Sequence, residues 1–373
     1  MNPQTAFCPN AECPARGQVG QGNIRIHSHA EQRYRCHECG QTFAATTGTP
    51  FYRLQHAPEL LTQVVTLLAW GCPPQAIVAA FGLDERTVAA WQARAGQHCQ
   101  AVHEQLIEQP RSLGEVQADE LRVKRQGAIV WMALALQVTT RLWLSGEVSQ
   151  HRDRHLLRRL IERVRRCAVC EAILFCTDGL STYVKVIRQV FRDKLQSGGR
   201  GRPRLQEWRE LLIAQVVKRY AQRRVVAVER RIKHGTAAQV EAVRHKAGDG
   251  GVINTAYIER LNATFRQRLV ALVRRGRALA RQTQTLQHGM FLIGTLYNFC
   301  TMHESLRLDC PVATDKWLNR TPAMAAGITD HCWSVKELLA YQVPPPRWRP
   351  PKRRGRVSQA MKLTIARWCC DHD

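Results

Sequence analysis

A chain of 373 residues, 45% of them hydrophobic, is long enough for two or three folded domains and apolar enough to give each a core. Fifty-five Lys and Arg against thirty Asp and Glu leave a formal charge of +25, an excess that suits a polyanionic partner, with nucleic acid ahead of an anionic membrane surface. No apolar run approaches the roughly 20 residues that a bilayer span needs. Residues 1–7 lack the charged and apolar regions of a signal peptide, so an intracellular location with reduced thiols is expected.

Residues 1–52 are rich in Cys, Gly and polar residues and need something other than a core to hold them. Cys8 and Cys13 form one spaced pair, and Cys36 and Cys39 form a second within Tyr34-Arg35-Cys36-His37-Glu38-Cys39-Gly40. Two such knuckles offer four thiolates to one tetrahedral Zn²⁺, whose binding supplies folding energy to a zinc ribbon. Residues 57–110 turn helical. Leu60, Leu61, Val64, Val65, Leu67 and Leu68 make one apolar face, and Gly71-Cys72-Pro73-Pro74 ends it. A short second helix runs through Ala76, Ile77 and Phe81, Gly82 permits a sharp turn, and Asp84 caps a third helix carrying Val88 and Trp91. This is the layout of a helix-turn-helix, in which Glu85, Arg86, Gln92 and Arg94 would face the major groove. A plain helical hairpin packed on a neighbouring domain is the competing reading.

After a polar join the period changes. Residues 116–124, 128–138 and 141–148 read as three successive strands, followed by a helix over 153–166, a strand over 172–176 and a helix after Gly179. Three adjacent strands and then alternating helix and strand predict an α/β domain with a mixed sheet. A basic insertion over 192–224 contains the loop residues 197–203 and a predicted helix after Leu205. A further strand is expected over 225–234, with long helices over 254–272 and 281–300. Residues 344–356 hold six Arg or Lys, no acid and several prolines, which predicts an extended, solvated tail within a basic extension over 307–373. Cys167 and Cys170, and Cys369, Cys370 and His372, are weaker cysteine clusters.

In so basic a chain the informative acids are those at strand ends or on helices facing the sheet. Asp119 lies in the first strand beside Glu120, Asp178 follows the apolar run Ile173-Leu174-Phe175-Cys176 directly, and Glu259 sits in Ile258-Glu259-Arg260-Leu261-Asn262 on a helix. Strand alternation would turn only one of Asp119 and Glu120 inward.

These residues, with Ala263-Thr264-Phe265-Arg266-Gln267-Arg268 after them and Tyr297-Asn298-Phe299 and His303-Glu304-Ser305-Leu306 beyond, carry a resemblance. From about residue 8 to 306 the chain resembles bacterial insertion-sequence transposases with an N-terminal zinc ribbon, a helix-turn-helix and an RNase H-like Asp-Asp-Glu core over 114–306. The resemblance implies Asp119, Asp178 and Glu259 as catalytic ligands of two Mg²⁺ or Mn²⁺ ions, with Asp119 bridging both, and structural Zn²⁺ on Cys8, Cys13, Cys36 and Cys39. It implies cutting and rejoining of double-stranded DNA at terminal inverted repeats, by a homo-oligomer in a synaptic complex in the bacterial cytoplasm at the nucleoid. The 81 positions from Asp178 to Glu259 exceed the spacing of compact cores, and the basic insertion accounts for the excess. Seven arginines from Arg260 to Arg281, Arg260, Arg266 and Arg268 among them, with no acid between, form an expected phosphate-tracking face. A DNA-binding regulator with a decayed or adapted core is the alternative function, and an RNA-directed nuclease a third.

Overall fold

The structure, a computed structural model, describes residues 1–195, 202–222, 224–246, 251–273, 279–310, 316–351 and 355–369. Arg274, Arg275, Arg277, Cys370, His372 and residues 197–201 of the predicted loop lie outside the described residues. The chain forms two compact units, one made of residues 1–59 with those from Leu339 onward, the other of Leu60–Leu338.

In the first unit, strands β1 (Ile24–Ser28), β2 (Arg33–Cys36) and β3 (Thr42–Ala44) pair antiparallel in that order. Alternation sends Ile24, Ile26, Tyr34 and Cys36 to one face, where they pack with Cys8, Cys13 and Trp368. Trp368 comes from a helix near the C-terminus, Gln359–Trp368, whose last carbonyl accepts a 2.8 Å hydrogen bond from Gln18 Nε2. Gln342 also donates to the carbonyls of Ala45 and Thr47. These contacts flank residues 344–351, which form neither helix nor strand. A three-stranded sheet of this size buries too little by itself, and the other end of the chain contributes the missing apolar side chain.

The second unit opens with α1 (Pro58–Ala69), α2 (Pro74–Phe81) and α3 (Glu85–Leu106). Gly82 takes φ 62° at the end of α2, and the Asp84 side chain accepts from the Arg86 amide to cap α3. Helix α3 runs on well past the apolar positions read from sequence. Its second half lies against the domain core, where His103 Nε2 meets the Leu144 carbonyl at 3.1 Å and the ring lies 4.4 Å from Trp143.

The central sheet follows from β4 (Gly114–Arg125), β5 (Ala128–Gln137), β6 (Trp143–Ser149), then α4 (Arg154–Arg166), β7 (Ile173–Asp178) and α5 (Ser181–Val190). After these come β8 (Arg192–Lys194), β9 (Leu205–Glu207), β10 (Leu211–Ala221), β11 (Arg224–His234), α6 (Ala237–Lys246), α7 (Ala256–Arg268) and α8 (Thr283–Cys300). The chain continues through β12 (His303–Asp309), β13 (Trp317–Arg320), α9 (Pro322–Ala325) and α10 (Val335–Ala340). Six strands form one mixed sheet in the order β11-β10-β7-β4-β5-β6, with β7 parallel to both β4 and β10 and the other pairs antiparallel. The fold is α/β, with eleven α-helices among the described residues.

Two expectations fail here. The helix predicted after Leu205 does not form: residues 205–207 are a short strand, because the spacing of Leu205, Trp208 and Leu211 imitates a helical face while Trp208 in fact meets Phe191 edge-on at 5.0 Å and donates to Asp193. The helix bearing Glu259 ends at Arg268 instead of continuing to 272, since the backbone of Leu269 is extended and its side chain is buried.

Both faces of the sheet are covered. Val116, Ala118 and Phe175 pack with residues of α4 and α5, including Leu156, Leu160, Tyr183 and Ile187. On the opposite face Leu174 and Cys176 pack with Val240 of α6. Asn298 ties α8 to β6, its side chain bonding both the amide and the carbonyl of Trp143 at 2.9 Å. Among the described residues no helix is long and apolar enough to cross a membrane.

Candidate active site

Asp119 lies within β4, Asp178 is the last residue of the neighbouring parallel strand β7, and Glu259 is in the first turn of α7. All three line one cleft of about 400 Å³ with Arg152, Gly179, Lys218, Tyr220 and Thr255. Carboxylate oxygens of Asp119, Glu120 and Asp178 lie within 4.8 Å of one another, and Glu259 stands outside that group on the same cleft.

Each acid is held differently. Asp119 Oδ2 accepts a 2.8 Å hydrogen bond from Asn262 Nδ2 on α7. Asp178 Oδ1 accepts from the Leu180 amide at 3.0 Å, and Gln215 Nε2 bonds the carbonyls of Asp178 and Leu180, so the turn leaving β7 is pinned. Glu259 accepts from Thr255 Oγ1 at 3.0 Å and pairs with Lys218 of β10. Arg152 reaches Glu120 at 2.8 Å and Asp178 at 3.3 Å, bridging two strands.

Asp119 and Glu120 point to opposite faces, as alternation requires, yet neither is a solvent residue. Asp119 meets α7 and Glu120 is buried beside Tyr183 of α5, because helices cover both sides of the sheet. The expectation that only one of them would turn inward therefore fails.

The electrostatics single out Asp119. Burial, then repulsion from Glu120, Asp178 and Glu259, pushes its carboxyl up to about 6 against a backbone hydrogen bond from Glu120. Glu120 is also raised by burial, with Tyr183 and Arg152 opposing the shift. Arg152 neutralises Glu120 and Asp178, Lys218 neutralises Glu259, and Asp119 has no ion pair among the described residues. Carboxylate oxygens with uncompensated negative charge in a half-buried cleft are a donor set that fits a hard divalent cation.

In the other unit, Cys8, Cys13, Cys36 and Cys39 bring their sulfurs within 4.8 Å of one another. Cys8 and Cys39 lie 3.6 Å apart and Cys13 and Cys36 3.9 Å, close to the ~3.8 Å edge of a tetrahedron with Zn–S arms of about 2.3 Å. Burial raises Cys8 strongly and pushes Cys13 up to about 12. Burial opposes ionisation of Cys39 as well, but hydrogen bonds from the Gln41 backbone and the Asn10 side chain outweigh it and hold that thiol below its ordinary value. Asn23 Nδ2 lies 3.6 Å from the Cys36 sulfur, a further donor toward a thiolate. The four sulfurs fit one zinc ion.

The basic residues singled out in the sequence separate into different environments. Arg86 and Arg260 are exposed. Gln92 and Arg94 are half-buried, and Gln92 lines a larger cleft of about 550 Å³ between α2, α3 and residues 269–271 and 279–286. Among the described residues that line it Glu85 is the single acid, so the carboxylate chemistry belongs to the smaller cleft. Arg266 is half-buried, whereas Arg268 is buried, lies 4.0 Å over the Trp70 ring and donates to Thr301. Its charge is committed within the fold and does not join a phosphate-tracking face.

The sequence reading missed Arg152, Lys218 and Gln117. Gln117 and Asn262 carried a signal, being polar residues two positions before and three after the candidate acids Asp119 and Glu259. Cys167 is buried in the core with α4 and β7, whereas Cys170 is exposed. No protein-family model matches the chain, and no curated protein matches it.

Proposed function

We propose that the chain is a DNA strand-cleaving and strand-transferring enzyme of the Asp-Asp-Glu transposase type, built on an RNase H-like sheet. The observation that carries the reading is the convergence of Asp119, Asp178 and Glu259, from two adjacent parallel strands and a helix, on one cleft. Divalent cations held by these carboxylates would activate the attacking oxygen and stabilise the leaving one in phosphodiester chemistry. The chain's own residues do the rest. Asn262 orients Asp119, Thr255 orients Glu259, and Arg152 and Lys218 place two cations at the cleft, where a phosphate would meet them. The helix-turn-helix reading of α2 and α3 rests on the Gly82 turn and the Asp84 cap, with exposed Arg86 in the first turn of α3. The four-cysteine unit would add a zinc-held DNA contact, and a synaptic homo-oligomer would bring two DNA ends together.

The test uses the DNA flanking the coding region. The intact protein should join a Mg²⁺-supplied terminal inverted repeat to target DNA, and Asp178→Ala should abolish joining while retaining DNA binding. An intact protein that binds these ends but never cuts them would turn the reading to a DNA-binding regulator, and cleavage of RNA alone would turn it to a nuclease of another substrate.

A further inference from the structure

Glu115, Gln117 and Asp119 alternate along β4 on the face covered by α6 and α7, and the first two side chains are wholly buried. Three consecutive polar residues on one face of a central strand need partners. Glu115 pairs with the buried Arg244 of α6 at 3.5 Å and accepts a 3.1 Å hydrogen bond from Gln117 Nε2. The same Nε2 bonds the Asn254 carbonyl at 3.0 Å. Gln117 Oε1 accepts from the amides of Tyr257 and Ile258, both at 3.1 Å. These are among the first amides of α7, which have no partner inside the helix.

The residue positioned to cap α7 is Thr255, and it makes no side-chain cap. Its hydroxyl is directed to Glu259 instead. A buried glutamine two residues before Asp119 thus does the capping, across 140 positions of sequence. One turn beyond the first, Asn262 makes the second tie, from α7 back to Asp119 itself. Glu259 sits between the two ties.

We infer that Gln117 and Asn262 are positioning residues that fix the Glu259 helix against the Asp119 strand and thereby set the spacing of the carboxylates. Neither touches the reacting atoms. Gln117 acts through Glu259 and Asn262 through Asp119. The inference rests on the reading of the cleft as a divalent-cation site, and a binding measurement separates the two.

The experiment is a Mn²⁺ titration of the full-length protein, followed by calorimetry and by electron paramagnetic resonance, on the wild type and on Gln117→Met, Glu259→Gln and the double variant. Gln117→Met keeps the side-chain length and removes the capping oxygen and the amide donor. It should weaken Mn²⁺ binding about tenfold, the usual effect of losing a group that orients a metal ligand. In the Glu259→Gln background the same change should have no further effect, because a residue that works through Glu259 has nothing left to position. Thermal melts of the variants monitor folding. A Gln117→Met effect of equal size with and without Glu259, or none in the wild type, overturns the inference. Wild-type protein that binds no Mn²⁺ dependent on Asp119 and Glu259 overturns the cation-site reading itself.

Discussion

Asp119→Asn should make the protein more stable at neutral pH while removing its proposed activity. The Asp119 carboxyl is raised from 3.8 to about 6 by burial and by the neighbouring carboxylates. A group whose folded value lies above its unfolded value binds more protons in the native state between the two. Its contribution is complete below 3.8 and is lost as pH rises to about 6. A difference of about two units corresponds to about 3 kcal/mol, so ionised Asp119 costs the metal-free fold something of that order above pH 6. Asparagine removes this charge and can keep the contact to Asn262 through its carbonyl oxygen.

Urea unfolding in EDTA from pH 4 to 8 measures the effect as the difference between variant and wild type at each pH. The difference isolates Asp119 from buried His103, whose value is lowered to about 3 by burial and then by Arg163. His103 acts in the opposite sense over an overlapping window, its contribution being present above 6.5 and lost as pH falls toward 3. The stability gap should open between pH 4 and 6 and stay level above. Millimolar Mg²⁺ should stabilise the wild type selectively and narrow it. Parallel curves, or a variant less stable at pH 7.5, would refute the electrostatic account of the cleft.

Other measurements probe the frame around the site. Gly96→Ala would place a methyl 2.5 Å from the backbone oxygen of His288 where α3 crosses α8, so the helices must separate. A gain of about 1 kcal/mol in helix propensity should be outweighed, for a net loss of about 2 kcal/mol in chemical denaturation. Purified protein should hold one zinc per Cys8, Cys13, Cys36 and Cys39 set by elemental analysis, and chelation should melt the β1–β3 unit and leave the larger unit folded. Trp368→Ala should speed zinc release to a chromogenic chelator, because that side chain completes the core around the cysteines. Release at the wild-type rate would show that the C-terminal helix contributes nothing to that core.

Spacing that chemistry imposes locally was readable from the chain. Two cysteine pairs with four and two residues between their members, in a segment lacking an apolar core, can offer four thiolates to one tetrahedral metal, and the structure gathers all four sulfurs. The strands β4 to β7 and the helices α4, α5 and α8 follow from runs of apolar residues with a clear period. Asp178 was legible because an apolar strand ending in an acid before glycine presents that acid at the strand's C-terminal end.

Partners distant in sequence were not legible. The pattern Glu115-Val116-Gln117-Ala118-Asp119 has the alternation of a strand with one wet face, and only packing under α6 and α7 turns that face into a buried polar ladder. Arg268 reads as one cation in an acid-free run, and the fold buries it against Trp70. Leu205, Trp208 and Leu211 keep helical spacing, but residues 205–207 form a short strand and Trp208 turns to a place beside Phe191. Local period and ligand spacing thus determined which elements form and which residues can bind a metal. Burial and hydrogen-bond partnership are properties of three-dimensional neighbourhood, and they alone decided which charges stay in water and which carboxylates meet.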